Sequence, residues 1–96
     1  MSTIFTKIVN REIPCHLIKE DDRFLAFLDV MPLVEGHVLV IPKAKARNIL
    51  DIAPNDLKNL IAGAQTVAKA VKAGMKAEGL TIQQFSEQAG GQIVFH

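Results

Sequence analysis

The sequence is short of the features that would commit it to several classes of protein. It has one cysteine, Cys15, so no disulfide can close within the chain, which suits a reducing compartment. No apolar run approaches the ~18 residues a membrane span needs. The N-terminus has no signal-peptide core, because Lys7, Asn10, Arg11 and Glu12 interrupt it. Eleven basic residues balance ten acidic ones, and the net charge of +1 offers no electrostatic footprint for nucleic acid. Internal repeats, low-complexity tracts and linkers are also missing. The expectation is a cytoplasmic protein with neither a membrane nor a nucleic-acid partner.

What is present suits one globular domain over residues 1–96. A hydrophobic content of 49% with 22% charged residues is that of a folded chain. A domain of this size buries a little over ~60% of the surface its unfolded chain exposes. Ile4, Phe5, Ile8 and Val9 have the spacing of one short amphipathic helix over Ile4 to Asn10, which Pro14 follows. His16 to Glu20 and Phe24 to Asp29 read as two strands joined at Asp21-Asp22-Arg23. Phe24 to Leu28 is apolar on both faces, as is His37 to Ile41 after the Pro32 to Gly36 loop. Both faces of these strands are therefore expected to be covered, one by a long helix and the other by a second subunit.

Pro42 closes the third strand, and Arg47 to Ile52 has the look of a short helical turn. Pro54 suits the first position of a longer helix, where its missing N–H costs nothing. Leu57, Leu60, Ile61, Ala64, Val67, Ala68, Val71 and Met75 then recur at three-and-four spacing, with Lys58, Lys69, Lys72 and Lys76 elsewhere. From Pro54 to Ala77, with Gly79 as the stop, this helix would span about 36 Å. Leu80 to Phe85 reads as a further strand. Hairpins with helices segregated to one side indicate an α+β domain.

The last stretch, Gly90-Gly91-Gln92-Ile93-Val94-Phe95-His96, draws the most attention. Adjacent glycines can turn several N–H groups toward one point, making a concavity suited to phosphate. Ile93 to His96 is rich in strand-forming residues, and alternation puts His96 on the face of Val94. The sequence stops inside this strand-like segment, with no turn, helix or polar tail after it. A stub would leave the neighbouring strand's backbone groups unpaired. Either the pairing comes from elsewhere or the sequence is a shortened form of a longer one, and shortening is the favoured reading.

This run resembles the approach to the histidine triad of the HIT superfamily, whose members bind and cleave nucleotides. Ile4-Phe5-x-Lys7-Ile8-Val9, Ile13-Pro14-Cys15, Glu20-Asp21-Asp22, Leu25-Ala26-Phe27-x-Asp29 and Gly36-His37-x-Leu39-Val40-Ile41-Pro42-Lys43 are similar to signatures of the same family, in its order. The resemblance implies a HIT-like α+β fold: an antiparallel sheet, one long helix, a short N-terminal helix and an incomplete last strand. It also implies a homodimer. In the family the strand continues as His-x-His-x-His, and the second of these histidines is the nucleophile. His96 would be the first, and the domain would lack its C-terminal part.

The residue roles follow from the same resemblance. Asp29 would accept hydrogen bonds from ribose hydroxyls; as a lone Asp closing a strand it equally suits a turn cap. Phe27, Leu28 and Val30 match positions that wall the nucleoside, although on the residues alone Phe27 and Leu28 read as core. His37 would support the catalytic imidazoles, where a lone histidine is usually a satisfied core residue. Gln92 and the Gly91 N–H match the phosphate-facing turn. Ser86 stands near a position that many members fill with Asn, with a one-residue slip onto Phe85 left open, and Ile93 replaces a common hydroxyl donor. Lys43, Lys45 and Arg47 read as a solvated helix start.

Some bacterial members hold zinc at positions that here carry Thr3, Thr6, Lys45 and His96. Threonines and a lysine make a poor ligand set, so no metal is expected, and no other cofactor is implied. The resemblance implies a hydrolase acting on the α-phosphate of nucleoside phosphoramidates or dinucleoside polyphosphates, with a purine nucleotide or its conjugate as partner. The alternative is a catalytically inactive nucleotide-binding or protein-interaction module. That alternative is favoured for the 96-residue chain, which carries only the first histidine of the run.

Overall fold

The computed structural model describes residues 3–28, 37–92 and 96. Asp29, Val30, the Pro32 to Gly36 loop and the segment from Ile93 to Phe95 lie outside the described residues.

The chain opens with helix α1 (Ile4–Val9), capped by Thr3, whose side-chain oxygen accepts from the Thr6 N–H at 3.2 Å. Strands β1 (Leu17–Glu20), β2 (Phe24–Leu28) and β3 (Val38–Pro42) follow, forming an antiparallel sheet in the order β1-β2-β3. The β1–β2 turn is set by Asp21, whose Oδ1 accepts from the N–H groups of Arg23 and Phe24 at 2.7 and 3.0 Å. The register runs from Phe24 opposite Pro42 to Leu28 opposite Val38. Helix α2 (Pro54–Gly74) begins with proline in its first turn, as the sequence predicts.

Alternation along β2 divides the core into two layers. Phe24 and Ala26 face α2, packing with Val67 and, around them, Val38, Val40, Leu60 and Val71. Leu25 and Phe27 face the other way, onto Ile8, Ile41, Phe5, Val9, Ile13, Cys15 and Leu39. The second face of the sheet is therefore covered by α1 and the segment after it, and not by a second subunit as the doubly apolar strands suggested. A six-residue helix suffices because Phe5, Ile8 and Val9 all point inward. Gly63 lets α2 approach the sheet: a Cβ there would lie 2.6 Å from the Phe24 ring.

Two further expectations are corrected, and a third, the short helical turn over Arg47 to Ile52, is met. Helix α2 ends at Gly74 and not at Ala77, because Lys76 takes a left-handed conformation (φ 53°) and Ala77 N–H bonds back to the Lys72 carbonyl at 3.0 Å. Residues 80–85 form no strand; their side chains are exposed, and among the described residues no strand runs beside them to supply a ladder. Residues 47–52 make one hydrogen-bonded turn, Ile52 N–H to the Asn48 carbonyl at 3.2 Å, without becoming a helix.

Candidate functional site

His96 docks where α1 meets the end of β3. Its Nε2 lies 2.9 Å from the Pro42 carbonyl and its Nδ1 lies 3.3 Å from the Thr6 hydroxyl. The Phe5 ring stands edge-on to the imidazole, with centroids 6.3 Å apart. A carbonyl can only accept, so Nε2 carries the hydrogen; in the neutral ring Nδ1 then accepts from Thr6. The Thr3 hydroxyl is 3.3 Å from that of Thr6, extending the chain of hydroxyls to the helix cap. This places Thr3, Thr6 and His96 together, three of the four positions that the resemblance marks for zinc. Two hydroxyls and a ring bonded at both nitrogens do not fit a tetrahedral zinc site. Among the described residues no group of three His, Cys, Asp or Glu converges on a point.

The second assembly surrounds the glycine pair. A short 3₁₀ helix, η1 (Gln88–Gly90), ends at Gly91 with φ 93°. Gln92 N–H bonds to the Glu87 carbonyl and Gly91 N–H to the Gln88 carbonyl, each at 3.0 Å. The glycine amides thus close the turn on itself. Beneath it lie two almost fully buried amide side chains, Asn48 and Gln92, exposed by only 7% and 8%. Asn48 Nδ2 donates to Glu87 Oε2 at 2.6 Å and to Gln92 Oε1 at 3.2 Å. Gln92 Oε1 also accepts from Glu87 N–H at 2.7 Å, and its Nε2 donates to the Arg47 carbonyl at 2.6 Å. Arg47 Nε donates to Glu87 Oε2 at 2.6 Å.

This network shifts the ionisation of its members. The Arg47 guanidinium is the chief cause holding the Glu87 carboxyl below its ordinary range, with Asn48 contributing. Arg47 is raised in turn by Glu87. Asp51 is held low by the Asn48 and Arg47 backbone N–H groups. Glu87 itself has φ 64° and ψ 161°, a region open to glycine and strained for a residue with a Cβ.

The remaining candidates are dispersed. Phe27 is buried in the α1-side core, edge-on to Phe5 at 5.9 Å, while Leu28 is 38% exposed at the strand end. His37 is half-buried at the start of β3, with Nδ1 shielded from solvent. His96 meets the other end of β3, so about 17 Å of strand separates the two histidines. Ser86 is half-buried and its hydroxyl donates to Gln84 Oε1 at 2.9 Å. Asn48 and Glu87 escape sequence reasoning, whereas the resemblance had already grouped Thr6 with Thr3 and His96. Asn48 and Asp51, three apart after a basic run, signal a side-chain-capped turn, but nothing local announces that Asn48 meets Gln92.

The chain belongs to the HIT family: the model of the HIT domain matches residues 10–96. A HIT-like protein of Synechococcus elongatus is 42% identical over 96 residues, covering 98% of this chain and 82% of that protein. The crystal structure of a HIT-like protein from Bartonella henselae superposes with a TM-score of 0.97 at 45% identity, over 99% of this chain and 72% of the other. A histidine triad nucleotide-binding protein from Candida albicans gives 0.89 at 29% identity, over 99% of this chain and 69% of that one.

Proposed function

We propose that this protein binds purine nucleotides, and that its chemistry is the HIT-type hydrolysis of nucleoside phosphoramidates or dinucleoside polyphosphates at the α-phosphate. The observation that carries the reading is the family match over residues 10–96, which takes in the whole Gly90-Gly91-Gln92 to His96 run. The name of the Candida albicans neighbour points the same way. In this reading a neutral imidazole attacks the α-phosphorus, the leaving group departs protonated, and water cleaves the nucleotidyl-histidine. Asp29 would hold the ribose, with Leu28 and Val30 along the base and Phe27 supporting their strand from the α1-side core. Ser86 and the turn through Gly91 and Gln92 would border the phosphate, with His37 and His96 in supporting positions.

The attacking imidazole would be the second histidine of the family's run, of which His96 would be the first. Binding without turnover is the second reading. A homodimer in the cytoplasm completes the proposal; an apolar groove lies between Leu57 and Ile61 of α2 and Ile82 of the segment after it. Calorimetric titration with AMP, together with release of AMP from an amine-linked adenylate, tests both readings. Binding with no release supports the module, and release supports the hydrolase. A chain that binds no purine nucleotide contradicts both.

A further inference from the structure

Two nearly buried amides, Asn48 and Gln92, hold a turn whose residues are remote from Asn48 in sequence, and they hold it in an unfavourable shape. Asn48 reaches Glu87 and Gln92 across 39 and 44 residues. The Asn48 Oδ1 accepts from Leu50 N–H at 2.9 Å, and its backbone N–H donates to Asp51 Oδ1 at 3.0 Å. The side chain is thus fixed in its own turn before it touches the other. Gln92 is fixed at both ends, by the Glu87 N–H and by the Arg47 carbonyl. Glu87 is held through its backbone N–H by Gln92 and through its carboxylate by Asn48 and Arg47.

A solvent-facing turn that only joins two segments can relax to unstrained backbone. Here Glu87 keeps its glycine-type conformation while its backbone N–H and carboxylate are both bonded, and the bonds run to side chains that would be costly to leave unpaired. Strain sustained in this way by surrounding structure marks a shape that is being kept for use. The Gln92 side chain is committed inward, and the N–H groups of Gly91 and Gln92 are spent on the turn. The turn can therefore present its shape to a ligand, but the Gln92 amide cannot swing out without breaking the assembly.

We propose that Asn48 and Gln92 form an amide clamp that presets the 87–92 turn for the phosphate of a nucleotide. Asn48 is thereby a positioning residue, and Gln92 acts from beneath the turn instead of touching the phosphate. The assignment of phosphate to this turn rests on the nucleotide-binding reading above.

The test compares AMP with adenosine, which differ only in the phosphate. Asn48→Asp keeps the shape but loses both Nδ2 donors and sets a carboxylate against Glu87. At a temperature where the variant is folded, its affinity for AMP falls about tenfold, the scale of one lost charge-assisted bond, while adenosine affinity stays within about twofold. Glu87→Gln added to Asn48→Asp lets a residue-87 amide donate to the new carboxylate, and AMP affinity recovers. Should Asn48→Asp fail to fold, Glu87→Gln alone is read for a smaller loss of the same sign. Equal losses for both ligands, or no loss for either, overturn the proposal. Amide hydrogen exchange separates this from failure of the nucleotide reading. If the unaltered chain binds neither ligand, that reading falls, and the clamp is judged by protection at Glu87, Gly91 and Gln92. Selective loss of protection there in Asn48→Asp, with α2 unaffected, supports the clamp; unchanged protection removes it.

Discussion

A methyl group at position 63 would have nowhere to go. The Gly63 Cβ position lies 2.6 Å from two carbons of the Phe24 ring, and Phe24 is held between α2 and the sheet with 3% exposure. Gly63→Ala is expected to lower stability by about 1–3 kcal/mol, the usual range for overpacking, as read from urea denaturation midpoints. An unchanged midpoint would mean that α2 lifts away freely. At His96 the expected change is chemical: Thr6→Val keeps the volume but removes the hydroxyl facing Nδ1. Nitrogen chemical shifts of His96 should report the Nε2–H tautomer in the parent chain and a mixture of tautomers in the variant. A mixture already present in the parent would contradict the assigned bonding. Gly63 passes without notice in the helical pattern, because its role depends on a ring 39 residues away. His96 was legible as a special residue and the resemblance set Thr6 beside it, but the Pro42 carbonyl was not legible, since only the fold brings it there.

At the scale of elements, the periodic segments were readable and the ends and orphans were not. The apolar spacing of α1, the continuous apolar runs of β2 and β3 and the proline at the start of α2 all came directly from local chemistry. The second cover of the sheet was misassigned because α1 is too short to look like a layer; only its packing shows that Phe5, Ile8 and Val9 close that face. Residues 80–85 have strand composition but lack a neighbouring ladder among the described residues, and β propensity needs one. The end of α2 was misplaced because Gly79 looked like the natural stop, whereas Lys76 takes up the left-handed position with 6→1 and 5→2 bonds to Lys72 and Ala73. Lys76→Gly should therefore stabilise the protein by about 1 kcal/mol, having removed the Cβ penalty of that conformation. A thermal melt that shifts upward agrees with this, and a downward shift would mean that the helix end is held by the lysine side chain.

Over the whole molecule, the sheet and its flanking turns are joined by carboxylates that all favour the charged form. Glu20, bonded first by Lys43 at 2.7 Å and then by Arg11 at 2.6 Å, links the end of α1 to the end of β3 and is held below its ordinary 4.5. Asp21 and Asp51, held below 3.8 mainly by backbone N–H groups, fix the β1–β2 turn and the turn before α2. Glu87, held below 4.5 chiefly by Arg47, fixes the glycine turn. A carboxyl with a lower value in the folded than in the unfolded chain binds fewer protons when folded, so it favours folding above its unfolded value. That contribution is lost as pH falls through the folded value. The four act in the same direction, and the urea midpoint is expected to be nearly level from pH 7 to about pH 5 and to decline steeply below pH 4. Glu20 and Glu87 are half-buried at the surface, where salt still reaches their ion pairs and should weaken them, while the backbone-bonded Asp21 and Asp51 keep their acid sensitivity in high salt. Glu20→Gln with Glu87→Gln should accordingly make the decline shallower without abolishing it. A midpoint that stays level to pH 3 would show that these bonds do not distinguish the folded chain from the unfolded one, and the carboxylate links between α1, the sheet and the glycine turn would then be surface decoration.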